Sequence, residues 1–481
     1  MRRLQHAVAI AFLALTGGCG HTITDPAASL RDVSRSGSEH RLALQMLMER
    51  GATPNKADLD ALQGLAYRPG YSEELRLQGL EYLIRVDRDA AAVTLRRRLP
   101  RVTDHEWLRA LCAFVAEHDM TDLDEALVSS WGRPWTGDLP DAQRPEYQAL
   151  LAMHGPGAPE AIVWKTFLGA TRPSERGMRY RCWELLHRLG ARDELIELVR
   201  ASSEDASGDH PMLADLHAAA ESFGTIPWNR EEVLWIHKLA APERQAFWAS
   251  AEAACKDVPA ERRADLEIRD LPVLAAAAAH RPALLQATRP ELLAAVDRAL
   301  INQRHYREQD PGFLPGQEID HRLSTHRDRL TYGDLMALRM AQDALSSPEV
   351  RAHLFHFADR DVHDETTEYG GVIDLDHKGR FNVREFPPRM RVHDRRFEAS
   401  QDMFDAGYTA LFHFHYHAQK HRNFAHAGPG AGDMKYADNT RANCLVLTFV
   451  DENTMNVDYY RHDRVLVDLG VILRPSSGSP R

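Results

Sequence analysis

The spacing of apolar residues changes near residue 345. Before it, apolar residues recur every three or four positions, as in EELRLQGLEYLIR (73–85), HEWLRALCAFVAEH (105–118) and GMRYRCWELLHRLG (177–190), which predicts amphipathic helices. After it, apolar and polar residues alternate over short runs typical of β-strands. The sequence therefore predicts a multidomain chain, with an all-α region over 40–345 and a separate α/β domain over 350–475.

Three of the predicted helices place an arginine near their start. Arg76, Arg109 and Arg179 are separated by 33 and 70 residues, close to one and two steps of a unit of about 35 residues. This spacing favours stacked helical pairs, a HEAT-like α-solenoid whose extended surface suits recognition of a protein partner. An irregular all-α domain is the alternative.

The strand predictions depend on three stretches. EYGGVIDLDHKGRFNV (368–383) alternates around an HKG turn and predicts a hairpin. YTALFHFHYH (408–417) predicts a strand rich in aromatic residues, and NCLVLTFV (443–450) predicts a buried one. The stretch at 336–345 is the last predicted helix.

The N-terminus has the order of a secretory signal. Arg2 and Arg3 precede an apolar run at 7–15, which is too short to span a bilayer, and TGGC then ends at Cys19. The segment TGGC (16–19) resembles the lipobox of bacterial lipoproteins, with Thr16 where that pattern usually has Leu. The resemblance implies a signal peptide over 1–19 and lipidation of Cys19, followed by a flexible tether over 20–39. An ordinary cleaved signal is the alternative.

Net charge, the predicted lipid anchor and cysteine spacing indicate which partners, location and cysteine chemistry to expect. The net charge is −11 and no long basic run occurs, which argues against a nucleic-acid partner. A lipid anchor would place the protein in the bacterial cell envelope. Gly20 stands where some bacterial lipoproteins have the Asp that retains them in the inner membrane, so the resemblance implies the outer membrane or periplasm. The four later cysteines lack CxxC spacing and are expected to be small buried hydrophobes.

The aromatic strand carries candidate chemistry. Alternate side chains of a strand share a face, so His413, His415 and His417 would point together while the aromatic residues pack on the other side. Two imidazoles and a carboxylate would give Zn²⁺ three ligands and leave one position for water. Glu368, at the start of the predicted hairpin, is the candidate general base.

These residues resemble the JAMM (MPN+) zinc metalloproteases. EYGGVI (368–373) resembles their E-x-x-G strand, and HYH (415–417) followed by PGAGDMKYA (429–437) resembles their H-x-H…P-S-x-x-D-x-x-x-A signature. The resemblance implies an α/β fold, zinc bound by His415, His417 and Asp433, and Glu368 as general acid and base. It implies hydrolysis of a peptide or isopeptide bond in a protein, peptide or peptidoglycan-type substrate.

The sequence departs from that pattern in two places. Fifteen residues, 418 to 432, separate His417 from Asp433 where the family usually has about ten, so an insertion is expected to loop out. Gly430 stands where the family has a Ser that donates to the developing oxyanion, and loss of such a donor typically costs about 2.7–4 kcal/mol. Backbone amides of 430–432, or His421 or His426, could replace it.

The ligand pair and the function stay open at this point. The ligand pair is His415 with His417, or His413 with His415. The domain is an enzyme, a non-catalytic scaffold on a lipoprotein whose helices bind the partner, or a metal-binding protein that buffers zinc through its extra histidines.

Overall fold

The computed structural model describes residues 23–50, 53–133, 139–202, 211–307, 319–391 and 397–476. The predicted signal peptide, with Cys19, lies outside these residues, as do the last five of the C-terminal tail. The chain forms two compact units, Met1–Phe167 and Leu168–Arg481. Among the described residues, no helix combines the length and apolarity needed to cross a membrane.

The described residues of unit 1 form helices joined by short turns. These helices are α1 (Pro26–Arg31), α2 (Gly37–Glu49), α3 (Lys56–Tyr67), α4 (Glu73–Val86), α5 (Arg88–Arg98), α6 (His105–Glu117), α7 (Asp124–Trp131), α8 (Pro145–His154) and α9 (Ala158–Gly169), the last of which runs across the unit boundary. The predictions for α4 and α6 are confirmed. Asp104 caps the start of α6, and Trp107 and Leu111 lie on its buried face.

The predicted tether is wrong for residues 23–39. Asp25 caps α1, whose first residue is Pro26, and Ser36 with Glu39 forms a capping box at the start of α2. Leu30 is buried, and its carbonyl accepts a hydrogen bond from the Tyr71 hydroxyl at 2.6 Å. A polar, Ser-rich composition here supplies helix caps rather than a free linker.

The three arginines of the predicted repeat do not occupy equivalent positions. Arg76 is buried, with its guanidinium carbon 3.5 Å from the centre of the Trp107 ring. Arg109 instead pairs with Glu106 on the surface, its side chain 63% exposed. Arg179 is buried in unit 2. The arginine spacing therefore does not mark a structural repeat.

Unit 2 contains helices and the whole of the described sheet. Its helices are α10 (Arg176–Arg188), α11 (Arg192–Ala201), α12 (Pro211–Phe223), α13 (Arg230–Leu239), α14 (Gln245–Lys256), α15 (Ala260–Arg263), α16 (Leu271–His280), α17 (Arg289–Leu300), α18 (Leu323–His326), α19 (Tyr332–Ser346), α20 (Pro348–His363), α21 (Gln401–Gly407) and α22 (Ala431–Thr440). The helix predicted to be the last corresponds to α19. Ser347 caps α20 directly after it.

The described sheet has six strands in the order β2-β1-β3-β4-β5-β6. They are β1 (Gly370–Leu375), β2 (Phe381–Phe386), β3 (Phe412–His417), β4 (Cys444–Asp451), β5 (Thr454–Arg461) and β6 (Val465–Leu473). β3 and β4 are parallel and joined through α22, and the other neighbouring pairs are antiparallel. A mostly helical region followed by an α/β sheet region is therefore confirmed.

The predicted domain boundary near 345–350 does not separate two cores. Phe412, Phe414 and Tyr416 are buried on one face of the sheet, and they belong to the same hydrophobic cluster as Leu274 of α16 and Leu335 of α19. A sheet with one apolar face must bury it against another layer. In this chain the helices that precede the sheet supply that layer.

Candidate metal centre

Strand β3 separates its aromatic and its imidazole side chains as its alternation predicts. Phe412, Phe414 and Tyr416 lie in the core on one face. His413, His415 and His417 occupy the alternate positions on the other face. The parallel neighbour β4 sets their level, since His415 pairs with Val446 and His417 with Thr448.

Two of these histidines converge with an aspartate. His415 Nε2 lies 3.3 Å from His417 Nε2 and 3.2 Å from Asp433 Oδ1. His417 Nε2 lies 3.5 Å from Asp433 Oδ2. Among the described residues, these form the one group of three or more histidine, cysteine or acidic side chains whose ligand atoms all lie within 4.8 Å of one another. The side chain of Asp433 is 23% exposed, so the group is open to solvent on that side.

Asp433 is placed by the first turn of α22. Its Oδ2 accepts a hydrogen bond from the Gly430 amide at 2.8 Å, which anchors the carboxylate at the helix N-terminus where negative charge is favoured. Gly428, two residues earlier, has a φ of +102°, a conformation that residues with a side chain rarely adopt. The Gly/Pro loop therefore turns the chain so that Asp433 faces the two imidazoles.

Hydrogen bonds at the far side of each ring orient the two imidazoles. His417 Nδ1 lies 2.7 Å from the His426 carbonyl oxygen, which can only accept, so His417 donates from Nδ1 and presents Nε2 to the group. His415 Nδ1 lies 3.4 Å from the Tyr460 hydroxyl on β5. The ring of Phe397 stacks against His415, with the ring centres 6.2 Å apart.

The electrostatics of the group favour a bound positive charge. Burial disfavours the imidazolium, but the hydrogen bond to Asp433 and the charges of Asp433 and Glu368 raise the pKa of His417 to about 10. Burial alone would raise the pKa of the Asp433 carboxyl, yet His415 and His417 hold it well below its usual range. A metal ion that binds here would displace a proton from His417.

Glu368 lies next to the group without being one of its ligands. β1 pairs with β3 so that Gly370 is opposite His415, and the Tyr416 amide donates to the Tyr369 carbonyl at 3.2 Å. The same register, continued by two residues, sets Glu368 opposite His417 and on the same face. Glu368 is 6% exposed, and its charge contributes to the raised pKa of His417.

The two glycines after Glu368 are required by close approach of other parts of the chain. A Cβ on Gly371 would lie 2.0 Å from the Arg384 carbonyl oxygen on β2. A Cβ on Gly370 would lie 2.6 Å from the ring of Phe397, which stacks on His415. The glycine pair therefore lets β1 and Phe397 pack tightly beside the metal centre.

His413 lies apart from the three convergent ligands. Its Nδ1 is 2.8 Å from the Tyr436 hydroxyl, and its ring fills the space above Gly407. Burial lowers the pKa of His413 to about 4, so the ring is neutral at physiological pH. The geometry thus groups His415 with His417 and leaves His413 as a buried, hydrogen-bonded histidine.

The segment between His417 and Asp433 is partly exposed but is attached to the sheet at Asn423. Asn423 is 2% exposed, and the short 3-10 turn Phe424–His426, which contacts β4, follows it with Phe424 exposed. His421 lies 3.4 Å from Asp359 of α20, away from the metal centre. The Gly430 amide is occupied by Asp433, so it does not replace the absent Ser as an oxyanion donor.

Four residues of this neighbourhood carry no signal in the sequence. Tyr436, Tyr460, Asn423 and Phe397 act through hydrogen bonds or ring stacking with residues on other elements. No motif or spacing connects them to the histidines. Comparison with protein-family models, curated proteins and solved structures found no match.

Proposed function

We propose that this chain is a zinc-dependent peptidase or isopeptidase of JAMM type, carried by a lipid-anchored protein of the bacterial cell envelope. The observation that carries the proposal is the convergence of His415 Nε2, His417 Nε2 and the Asp433 carboxylate. Two imidazoles and one carboxylate match the ligand preference of zinc at catalytic sites, once the bound ion has displaced the proton of His417. The hydrogen bond from His417 to the His426 carbonyl leaves its Nε2 available as a ligand.

The reaction follows from the residues around that group. His415, His417 and Asp433 would hold the zinc, which would supply a water activated for attack at neutral pH. Glu368 is opposite His417 and would take up the proton of the attacking water. It would then return the proton to the leaving amine. The amides of Ala431 and Gly432, in the first turn of α22, are candidates for stabilising the oxyanion because a helix start offers donors without intrahelical acceptors.

One observation favours a second candidate function. The residue in the position of the family's Ser is Gly430, and its amide already donates to Asp433. A domain that holds zinc without this donor could serve as a scaffold, with the helices binding a protein partner and the lipid at Cys19 fixing the protein to the membrane.

For the first candidate, the peptidase or isopeptidase, the proposed substrate is a protein, a peptide or a peptidoglycan cross-link.

The first experiment measures metal content. We expect the chain from residue 20 onward to carry close to one zinc per molecule, and His415→Ala to lose it. His377→Ala is the matched control, because His377 is exposed in the hairpin turn and far in sequence from the ligands. A folded parent that takes up no zinc after reconstitution would contradict the proposal.

The second experiment separates the enzyme from the scaffold. Glu368→Gln should retain zinc and lose hydrolysis of peptide, Nε-linked isopeptide and muropeptide probes, because the amide cannot accept the proton. Glu365→Gln, an exposed neighbour, is the control and should behave as the parent. A parent that binds zinc and cleaves none of these probes would favour the scaffold.

A further inference from the structure

We propose that Asn423 is a positioning residue for the metal centre, and that the segment 418–429 exists to hold the His426 carbonyl against His417. The inference rests on the proposed metal site, but not on hydrolysis. It concerns which residues fix the orientation of a ligand, and it assigns this role to residues that the family resemblance does not identify.

The first step is the bond that orients His417. Its Nδ1 lies 2.7 Å from the His426 carbonyl oxygen, which also lies 3.4 Å from the Thr448 hydroxyl on β4. When the ring is neutral, a carbonyl that accepts from Nδ1 selects the tautomer with a free lone pair on Nε2. The position of one backbone oxygen therefore decides whether His417 can act as a ligand.

The second step is how that oxygen is held. The backbone amide of Asn423 donates to the Phe449 carbonyl on β4 at 2.8 Å. Its side-chain Nδ2 donates to the carbonyl of His417 at 3.1 Å and also to the side-chain oxygen of Gln419. The Asn423 carbonyl then accepts from the His426 amide at 2.8 Å. One buried residue thus joins β3, β4 and the turn that carries the His426 carbonyl.

The other end of the segment is fixed where Gly428 packs against His321. A Cβ on Gly428 would lie 2.1 Å from His321 Cε1. His321 Nδ1 lies 3.1 Å from Asp458 on β5, and its carbonyl accepts from the Asp468 amide on β6 at 2.9 Å. The segment is consequently fixed at Asn423 and again at Gly428, and only two residues separate Gly428 from the first residue of α22.

The test compares metal binding by Asn423→Ala and by the parent. Loss of a residue that orients a ligand typically lowers metal affinity by about 10- to 100-fold, and we expect a loss of this size in competition with a chromophoric chelator. We also expect the visible spectrum of the Co²⁺-substituted variant to change in intensity, because the coordination geometry relaxes. Asn382→Ala is the matched control, since Asn382 donates at 3.1 Å to Asp374 within the β1–β2 hairpin. An affinity within twofold of the parent, with an unchanged spectrum, would overturn the inference.

A second measurement applies if Asn423→Ala does not fold. In the Co²⁺-substituted parent, the Nδ1–H of His417 should give a hyperfine-shifted proton signal that exchanges slowly with water. Thr448→Val, which removes the second donor to the same carbonyl, should shift this signal. Rapid exchange in the parent, or no shift in the variant, would overturn the inference. A parent that binds neither Zn²⁺ nor Co²⁺ would overturn both this inference and the proposed function. A parent that binds zinc but hydrolyses no probe would contradict only the proposed hydrolytic function.

Discussion

Asp334 is a buried carboxylate held between two arginines. Its Oδ1 lies 2.8 Å from Arg269 and its Oδ2 lies 2.9 Å from Arg461, and all three side chains are at most 5% exposed. Arg269 precedes α16, Asp334 lies in the first turn of α19 and Arg461 ends β5. Burial alone would raise the pKa of the Asp334 carboxyl, but the two guanidinium groups hold it well below its usual range.

This pairing predicts the acid sensitivity of unit 2. The folded-state pKa of Asp334 is depressed, so its stabilisation is present above the ordinary value of 3.8 and is lost as the pH falls below that value. We expect the free energy of unfolding, measured by denaturant titration, to fall progressively as the pH is lowered below about 4, towards the folded-state pKa of Asp334. Asp334→Asn should lower stability at pH 7 by about 3–5 kcal/mol, because it removes the buried carboxylate that pairs with both Arg269 and Arg461, and should flatten the pH dependence. An equally steep dependence in the variant would show that other carboxyls dominate.

At the scale of elements, the metal centre is built where β3 and α22 meet. β3 brings two imidazoles to one face through its alternation, and α22 brings a carboxylate through its first turn. The loop between them sets the distance. Gly428 lies in that loop with a φ of +102° and in close contact with His321.

The loop predicts a difference between two glycine substitutions. Gly428→Ala and Gly379→Ala both place a side chain at a positive φ, which costs about 1–2 kcal/mol of stability. Only Gly428→Ala also pushes against His321, since nothing lies within 4 Å of a Cβ on Gly379. We therefore expect both variants to lose thermal stability and only Gly428→Ala to lose zinc affinity, by about tenfold. Equal zinc affinity in the two variants would contradict this account of the loop.

At the scale of the whole molecule, the sheet and the helices before it share one hydrophobic core within unit 2. That cluster includes Phe223 of α12 and Ile472 of β6. The sheet face that carries Phe412 and Tyr459 is buried in it, while the opposite face carries the metal centre. Helices that are distant in sequence thus pack on the sheet face opposite the metal centre and stabilise the strands that carry it.

The shared core predicts that the sheet region does not fold alone. A fragment of residues 350–475 would expose the apolar face of the sheet and leave Arg461 without Asp334. We expect it to be insoluble or to lack near-ultraviolet circular dichroism, whereas a fragment of residues 168–476 should unfold cooperatively. A folded, zinc-binding 350–475 fragment would restore the boundary that the sequence predicts.

The sequence alone determined the features that depend on local spacing. The 3.6-residue period predicted helices such as α4 and α6, and the two-residue period of β3 predicted that its imidazoles share a face. The motif order around Glu368, His415, His417 and Asp433 was sufficient to select residues that the fold brings together. The helix and strand predictions succeed because each depends on neighbours within a few positions of the chain, whereas the selection of Glu368 and Asp433 came from the order of motifs in a family resemblance.

Only the tertiary structure decided the features that depend on distant residues. The choice of His417 over His413 depends on the position of Asp433, and the orientation of His417 depends on the carbonyl of His426. The core boundary depends on helices that cover the sheet from more than a hundred residues away. Hydrogen bonds and buried contacts of this kind act through space, so residue types and their spacing do not encode them in a readable pattern.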